Sequence, residues 1–239
     1  KEYRRQRQMC IRDRSSPYRI VPQAIRASAR LGKSEIEQIR EEFGFSPDDF
    51  IVATFGHVAW TKLGDRLIDA FLGSELMGDK TCHLVFVGEL SEDDFGHRIA
   101  EAISRDRCSE RIKITGFVSS DCYDKYLSIV DMAVQLRTKS RGGTPRGVLD
   151  CLAKGVPVVV NNEASYRDYP DNVVYRLSKD PLASEIGDAL VTLRNDVERR
   201  QELAIAAISY IRKHHDPKVI AAEYASAIHD FMERAHMSS

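Results

Sequence analysis

The sequence predicts an α/β protein built on a doubly wound parallel sheet. Three observations lead there. Apolar runs such as FIVATFG (Phe50–Gly56) and HLVFVG (His83–Gly88) lack polar alternation, as strands covered on both faces do. These runs alternate with amphipathic helical segments, the crossovers that parallel neighbours need. Several end in glycine or run into a polar loop, at the strand ends where an open α/β sheet binds its ligands.

Each element can be justified in order. SEIEQIREEFG sets Ile36, Ile39 and Phe43 on one helical face, with Ser34 as the expected N-cap. Ser46-Pro47-Asp48-Asp49 reads as a turn. Phe50–Gly56 follows as the first strand. Leu63–Ser74 is a helix with Leu67, Ile68, Phe71 and Leu72 inward, and His83–Gly88 is the second strand. Asp93–Arg105 is helical, and Arg111–Val118 is a third strand ending at Gly116. SSDCYDKYLSIV is a serine-capped helix carrying Tyr123, Tyr126, Leu127 and Val130 on one side. Asp131–Leu136, Pro157–Asn161 and Val173–Leu177 are the remaining strands, with helix Thr144–Lys154 between the first two. Helices Pro181–Arg194, Asp196–His214 and Pro217–Ala235 close the chain. The last has a broad apolar face of Val219, Ile220, Ala222, Tyr224, Ala227, Ile228 and Phe231. No repeat or low-complexity linker divides the chain, so one domain is expected.

Composition narrows the function. The 239 residues are 43% hydrophobic, enough for a full core. A net charge of −1, with 35 basic against 36 acidic residues, argues against a dedicated nucleic-acid or membrane-surface binder. No apolar run approaches the roughly 18 residues of a membrane span. Cys10, Cys82, Cys108, Cys122 and Cys151 show no metal-binding spacing and fit reduced thiols of a cytosolic protein. The opening is anomalous. Arg4–Asp13, RRQRQMCIRD, resembles an in-frame translation of a transposase sequencing adapter, so residues 1–14 are set aside as an expected artefact. Residues 15–239 are then expected to be a fragment that lacks its own N-terminal part.

Four loops lie at carboxyl ends of predicted strands: Gly56–Lys62, Gly88-Glu89-Leu90, Gly116-Phe117-Val118 and Arg137–Thr144. The fourth has the composition of an anion site. Gly142 and Gly143 allow close backbone approach ahead of a helix N-terminus, Pro145 suits the first helical turn, and Arg137, Lys139 and Arg141 add positive charge. The plainer alternative is a solvated loop before a capped helix. Lys62 is a second cation on the same rim, and together the two loops suggest a diphosphate clamp. Asp150, one turn into the helix, could accept hydrogen bonds from ribose hydroxyls or could face solvent. Nothing in the spacing suggests a metal site: there is no DxD pattern and no His/Cys/Asp cluster.

The order FGHVAWTKLGDRLIDAF, HLVFVG, RIKITGFVSSDCYDKYLSIVDMAVQL, SRGGTPRGVLDCLAKGVPVVVNN resembles the C-terminal half of a family 4 glycosyltransferase with the GT-B fold, over about Phe50 to Ile228. It is similar to bacterial enzymes of surface-polysaccharide assembly. The resemblance implies a Rossmann-like, donor-binding half of a retaining transferase. That enzyme would use a nucleotide-diphospho-sugar as substrate, with no cofactor and no metal. It would pass the sugar to a glycan or lipid-linked acceptor held by an N-terminal half. The family's basic pair falls on His57 and Lys62, where His57 replaces the usual Arg with a weaker, pH-dependent cation. His57, Lys62, Arg141, Gly142, Gly143 and Thr144 would hold the diphosphate. Gly116, Phe117 and Val118 would contact the base, and the later family acid falls on Asp150, implying ribose recognition.

The earlier family acid, a Glu that contacts the donor sugar, falls on Gly142 or Gly143, and Pro145 replaces a Ser. Losing a contact made at the transition state should weaken transfer. A neighbour could compensate, the fragment could be degenerate, or the protein could bind without efficient turnover. A non-catalytic nucleotide-sugar-binding domain and a nucleotide-sugar epimerase of the same fold therefore stay open. The implied location is the cytoplasm, with peripheral attachment to the inner membrane face undecided.

Overall fold

The computed structural model describes residues 19–28, 31–104, 110–138 and 145–237, with side chains to residue 233. The expected adapter segment lies outside these residues, as do Cys10 and Cys108. So do Lys139, Arg141, Gly142, Gly143 and Thr144 of the glycine-bearing loop. In chain order the described elements are α1 (Lys33–Glu42), β1 (Phe50–Phe55), α2 (Gly64–Leu72), β2 (Cys82–Val87), α3 (Asp94–Ser104), β3 (Ile112–Ile114) and α4 (Ser120–Ile129). There follow β4 (Met132–Gln135), α5 (Arg146–Lys154), β5 (Val158–Asn161), β6 (Tyr175–Leu177), α6 (Ala183–Asn195), α7 (Val197–His214) and α8 (Pro217–Met237).

The six strands form one parallel sheet in the order β3-β2-β1-β4-β5-β6. Because strand side chains alternate between faces, each of the four central strands feeds two cores. Ile51, Ala53 and Phe55 of β1, with Val85 and Val87 of β2, pack with Leu127 of α4, Leu149 and Leu152 of α5 and Ile211 of α7. Phe50 and Val52, with Leu84 and Phe86, pack on the other face with Leu67 and Phe71 of α2, Ile99 of α3 and Leu190 of α6. This two-sided burial is why the strands read as unbroken apolar runs. The strand order reverses between β1 and β4, and an open parallel sheet has its ligand crevice at such a switch point.

Local signals and structure differ at three places. Helix α1 is capped at Gly32 rather than Ser34, because Glu35 Oε2 reaches back 3.0 Å to accept the Gly32 N–H. Pro145 is the N-cap of α5, so that helix begins one residue later than a first-turn proline would allow. The apolar face of α8 is split: Ile220 and Ala227 are buried, whereas Val219, Tyr224, Ile228 and Met232 are exposed. Among the described residues, no helix is long and apolar enough to cross a membrane.

Candidate functional site

The carboxyl rim of the sheet is assembled from the loops after β1, β2, β3, β4 and β5. The first two are zipped together. Gly56 N–H donates to Val87 O at 2.9 Å, and Val58 N–H donates to Glu89 O at 2.8 Å. A Cβ on Gly88 would lie 2.3 Å from Gly56 O, so only glycine allows the two backbones to meet there. A 3-10 turn, Trp60–Lys62, then carries Lys62 back over the end of β1, and Leu63 closes the turn at φ 54°.

The switch point is bridged from the other side. Thr138 N–H, just after β4, donates to Thr61 O at 3.0 Å. Asn161, at the end of β5, accepts from Arg137 N–H at 3.0 Å. Its amide donates to Arg137 O at 2.8 Å and to Lys179 O at 2.7 Å. One buried side chain thus ties the β4, β5 and β6 ends together. The Arg137 guanidinium stacks 4.7 Å above the Tyr166 ring.

Lys62 and Arg137 therefore face the same crevice. Lys62 is half-buried and forms no ion pair among the described residues. Burial, and then the positive charge of Arg137, hold its ammonium below the ordinary lysine pKa. Two cations across a topological switch point, neither in an ion pair among the described residues, suit an anion. Helix α5 starts on the same spot. A Cβ on Gly147 would lie 3.3 Å from Gln135 Oε1 and 3.4 Å from Phe55 O, so its first turn rests directly on the ends of β1 and β4.

Asp150 faces inward, settling what its apolar neighbours left open. Its carboxylate accepts from Arg146 Nε at 2.6 Å and from the Tyr123 hydroxyl of α4 at 3.3 Å. Burial raises its pKa, while Arg146 opposes the shift. Tyr123 stacks edge-on against Phe55, with ring centroids 5.3 Å apart, and burial drives its own pKa far upward. Asp150 thus sits between α4 and α5, near the loop Gly116–Val118 that leads into α4. In that loop Gly116 has φ +69° and Phe117 is 84% exposed. His57 is exposed beside Gly56. Among the described residues, no three His, Cys, Asp or Glu side chains group as metal ligands. A cavity of 680 Å³ lined by Gly155, Ile205, Ile208 and Arg212 lies at the far end of α5, away from this rim.

The family model described as Glycosyl transferases group 1 matches residues 35–210. The chain belongs to that family. Solved glycosyltransferases share its fold. A glycosyltransferase from Rickettsia africae superposes with a TM-score of 0.80 at 13% identity, covering 97% of this chain and 62% of its own. Anabaena HepE, solved in complex with UDP and glucose, gives 0.77 at 17% identity, covering 89% of this chain and 57% of its own. The C-terminal domain of a group 1 glycosyl transferase, LpcC, from Francisella tularensis gives 0.67 at 18%, covering 76% of this chain and 93% of that domain. The fold is thus the Rossmann-like half of GT-B enzymes, and the chain spans a little over half the length of HepE. No curated protein sequence matches it.

Sequence reasoning missed Asn161 and Tyr166. No local signal marks them, because their roles depend on β5 lying beside β4. Arg137 was visible only as charge in a loop, without its stacking partner.

Proposed function

We propose that residues 15–239 are the donor-binding half of a retaining, family 4-type glycosyltransferase. It would transfer a sugar from a nucleotide-diphospho-sugar to a glycan or lipid-linked acceptor without a metal. The observation that carries this reading is that the loops bearing Lys62 and Arg137 meet at the switch point, where Thr138 N–H donates to Thr61 O at 3.0 Å, and that neither cation forms an ion pair among the described residues. A diphosphate would neutralise both and offset the cost of burying Lys62. The same pair would stabilise the negative charge that collects on the leaving diphosphate as the glycosyl–oxygen bond breaks, the step where a positioned cation lowers the barrier most. Asp150 retains acceptor capacity for ribose hydroxyls. Phe117, exposed at the mouth of the adjacent loop, offers a face to the base. The acceptor and its activating groups would belong to the other half of the enzyme, which would work in the cytoplasm.

The test is thermal stabilisation of residues 15–239 by UDP, GDP and ADP against inorganic phosphate. One nucleotide at about 100 times its dissociation constant should add roughly 2.7 kcal/mol. Lys62→Ala should remove about half of the shift or more and Asp150→Ala a smaller part, and the isolated half should transfer no sugar. A folded sample that responds to no nucleotide rejects the donor site, and measurable transfer rejects the division of labour.

A further inference from the structure

Unpaired polar atoms are concentrated in one place. Among the described residues, five of seven buried side-chain nitrogens and oxygens without a hydrogen-bond partner sit at the carboxyl ends of β4 and β5. They are Gln135 Nε2, Arg137 Nε, Thr138 Oγ1, Glu163 Oε2 and Ser165 Oγ. Buried polar groups are almost always paired, because an orphaned one costs about 1–3 kcal/mol. A cluster of orphans beside a ligand crevice marks groups whose partners arrive with the ligand.

Glu163 is the informative member. Lys179 Nζ at 3.7 Å and Arg167 Nη2 at 3.9 Å pair with its Oε2 as charges, but neither is at hydrogen-bond length. The side chain as a whole is 15% exposed, while its Oε2 is buried without a hydrogen-bond donor. A carboxylate accepts from several donors at once, and vicinal sugar hydroxyls present two. The next residue, Ala164, holds φ 49°, a left-handed conformation that costs a non-glycine residue about 1–3 kcal/mol and fixes where Glu163 points. Tyr166 N–H donates to Glu163 O at 3.0 Å, and the Tyr166 ring lies under Arg137, linking this turn to the cationic pair.

We propose that Glu163, assisted by Ser165, is the sugar-recognising acid of this chain, replacing the Glu that its relatives carry where this sequence has Gly142 or Gly143. The assignment rests on the donor-site reading above. It moves the hydroxyl-binding carboxylate from the loop after β4 to the turn after β5, on the neighbouring strand.

Calorimetry on the full 239-residue chain tests it, using the nucleoside diphosphate that stabilises the fold and the matching nucleotide-hexoses. The wild-type chain should bind one nucleotide-hexose about tenfold more tightly than the bare diphosphate, the scale of a hydrogen bond to a charged group. Glu163→Gln keeps size and one acceptor, and should erase that preference while the bare diphosphate stays within about twofold. Ser165→Ala should reduce the preference in part. A preference that survives Glu163→Gln, or equal weakening of both ligands, overturns the assignment. So does wild-type binding of the diphosphate with no sugar preference, and that result leaves the donor site standing. Failure of the wild-type chain to bind either ligand removes the donor site itself.

Discussion

The two ends of the sheet treat buried cations in opposite ways. At the amino end Arg40 is almost fully buried. Its guanidinium donates to Ile129 O twice, to Pro47 O, to Asp49 O and to Asp131 Oδ2, between 2.7 and 3.2 Å. Arg111 is equally occupied, donating to Cys82 O at 2.6 Å, Leu76 O at 3.0 Å and Asp79 O. At the carboxyl end Lys62 feels the charge of Arg137, and neither forms an ion pair among the described residues. The contrast teaches that burial alone does not say what a cation is for. A satisfied cation holds strands in register, whereas an unsatisfied one keeps capacity for a ligand.

The largest effect should come from breaking the satisfied end. Arg40→Met would leave three backbone carbonyls without donors and Asp131 with the Ile51 N–H, at 2.8 Å, but no cation bonded to it. Burial already pushes the Asp131 carboxyl upward, and Arg40 is the main group holding it down. Removing one partner of such a pair should cost about 3–5 kcal/mol, seen as a lower midpoint in urea. An unchanged midpoint would mean that these bonds carry no weight and that the comparison is empty.

The opposite end should respond in reverse. Lys62→Met should leave stability unchanged or slightly higher, because it removes a cation crowded by Arg137, yet weaken diphosphate binding by about tenfold or more. Proton linkage sharpens this. With its folded pKa lowered, Lys62 gives up its proton in the native state before the unfolded chain does. Wild-type stability should therefore rise with pH from the lowered value toward the ordinary lysine pKa near 10.4, then level off. Lys62→Met should lose that rise. A bound diphosphate favours the charged ammonium, so binding in this window should take up protons, measurable by calorimetry in buffers of different ionisation enthalpy. Proton-neutral binding there would place the diphosphate elsewhere.

How much of this was legible in the sequence follows from range. Strands and helices are encoded locally by apolar period, and each predicted element is present with ends moved by a few residues. The cation roles are not encoded locally. Arg40 sits in IREEF and resembles any surface arginine until strands β1 and β4 bring carbonyls around it. Gly147 looks like a helix-weakening residue. Its reason is the close approach of Phe55 O and Gln135 Oε1, from two strands that meet it only in space. Lys62 was legible because a lysine just past an apolar strand is placed by topology alone. Glu163 was not, because only the orphaned oxygen distinguishes it from an ordinary loop acid.

Asp150 lies between the two kinds of site, and its variant should give the smallest effect. It is partly satisfied, by an exposed i,i+4 arginine and a buried tyrosine hydroxyl. Arg146 is 58% exposed, so solvent screens much of its charge, and the pair contributes about 1 kcal/mol or less. Asp150→Asn should therefore change stability by less than about 1 kcal/mol. Its effect on binding depends on what the carboxylate accepts. If it accepts from ribose hydroxyls, a ribonucleoside diphosphate should lose several-fold in affinity, and its 2′-deoxy counterpart, lacking one donor, should lose less. Equal loss for both would assign Asp150 to orienting Tyr123 and α4, on the structural side of the comparison.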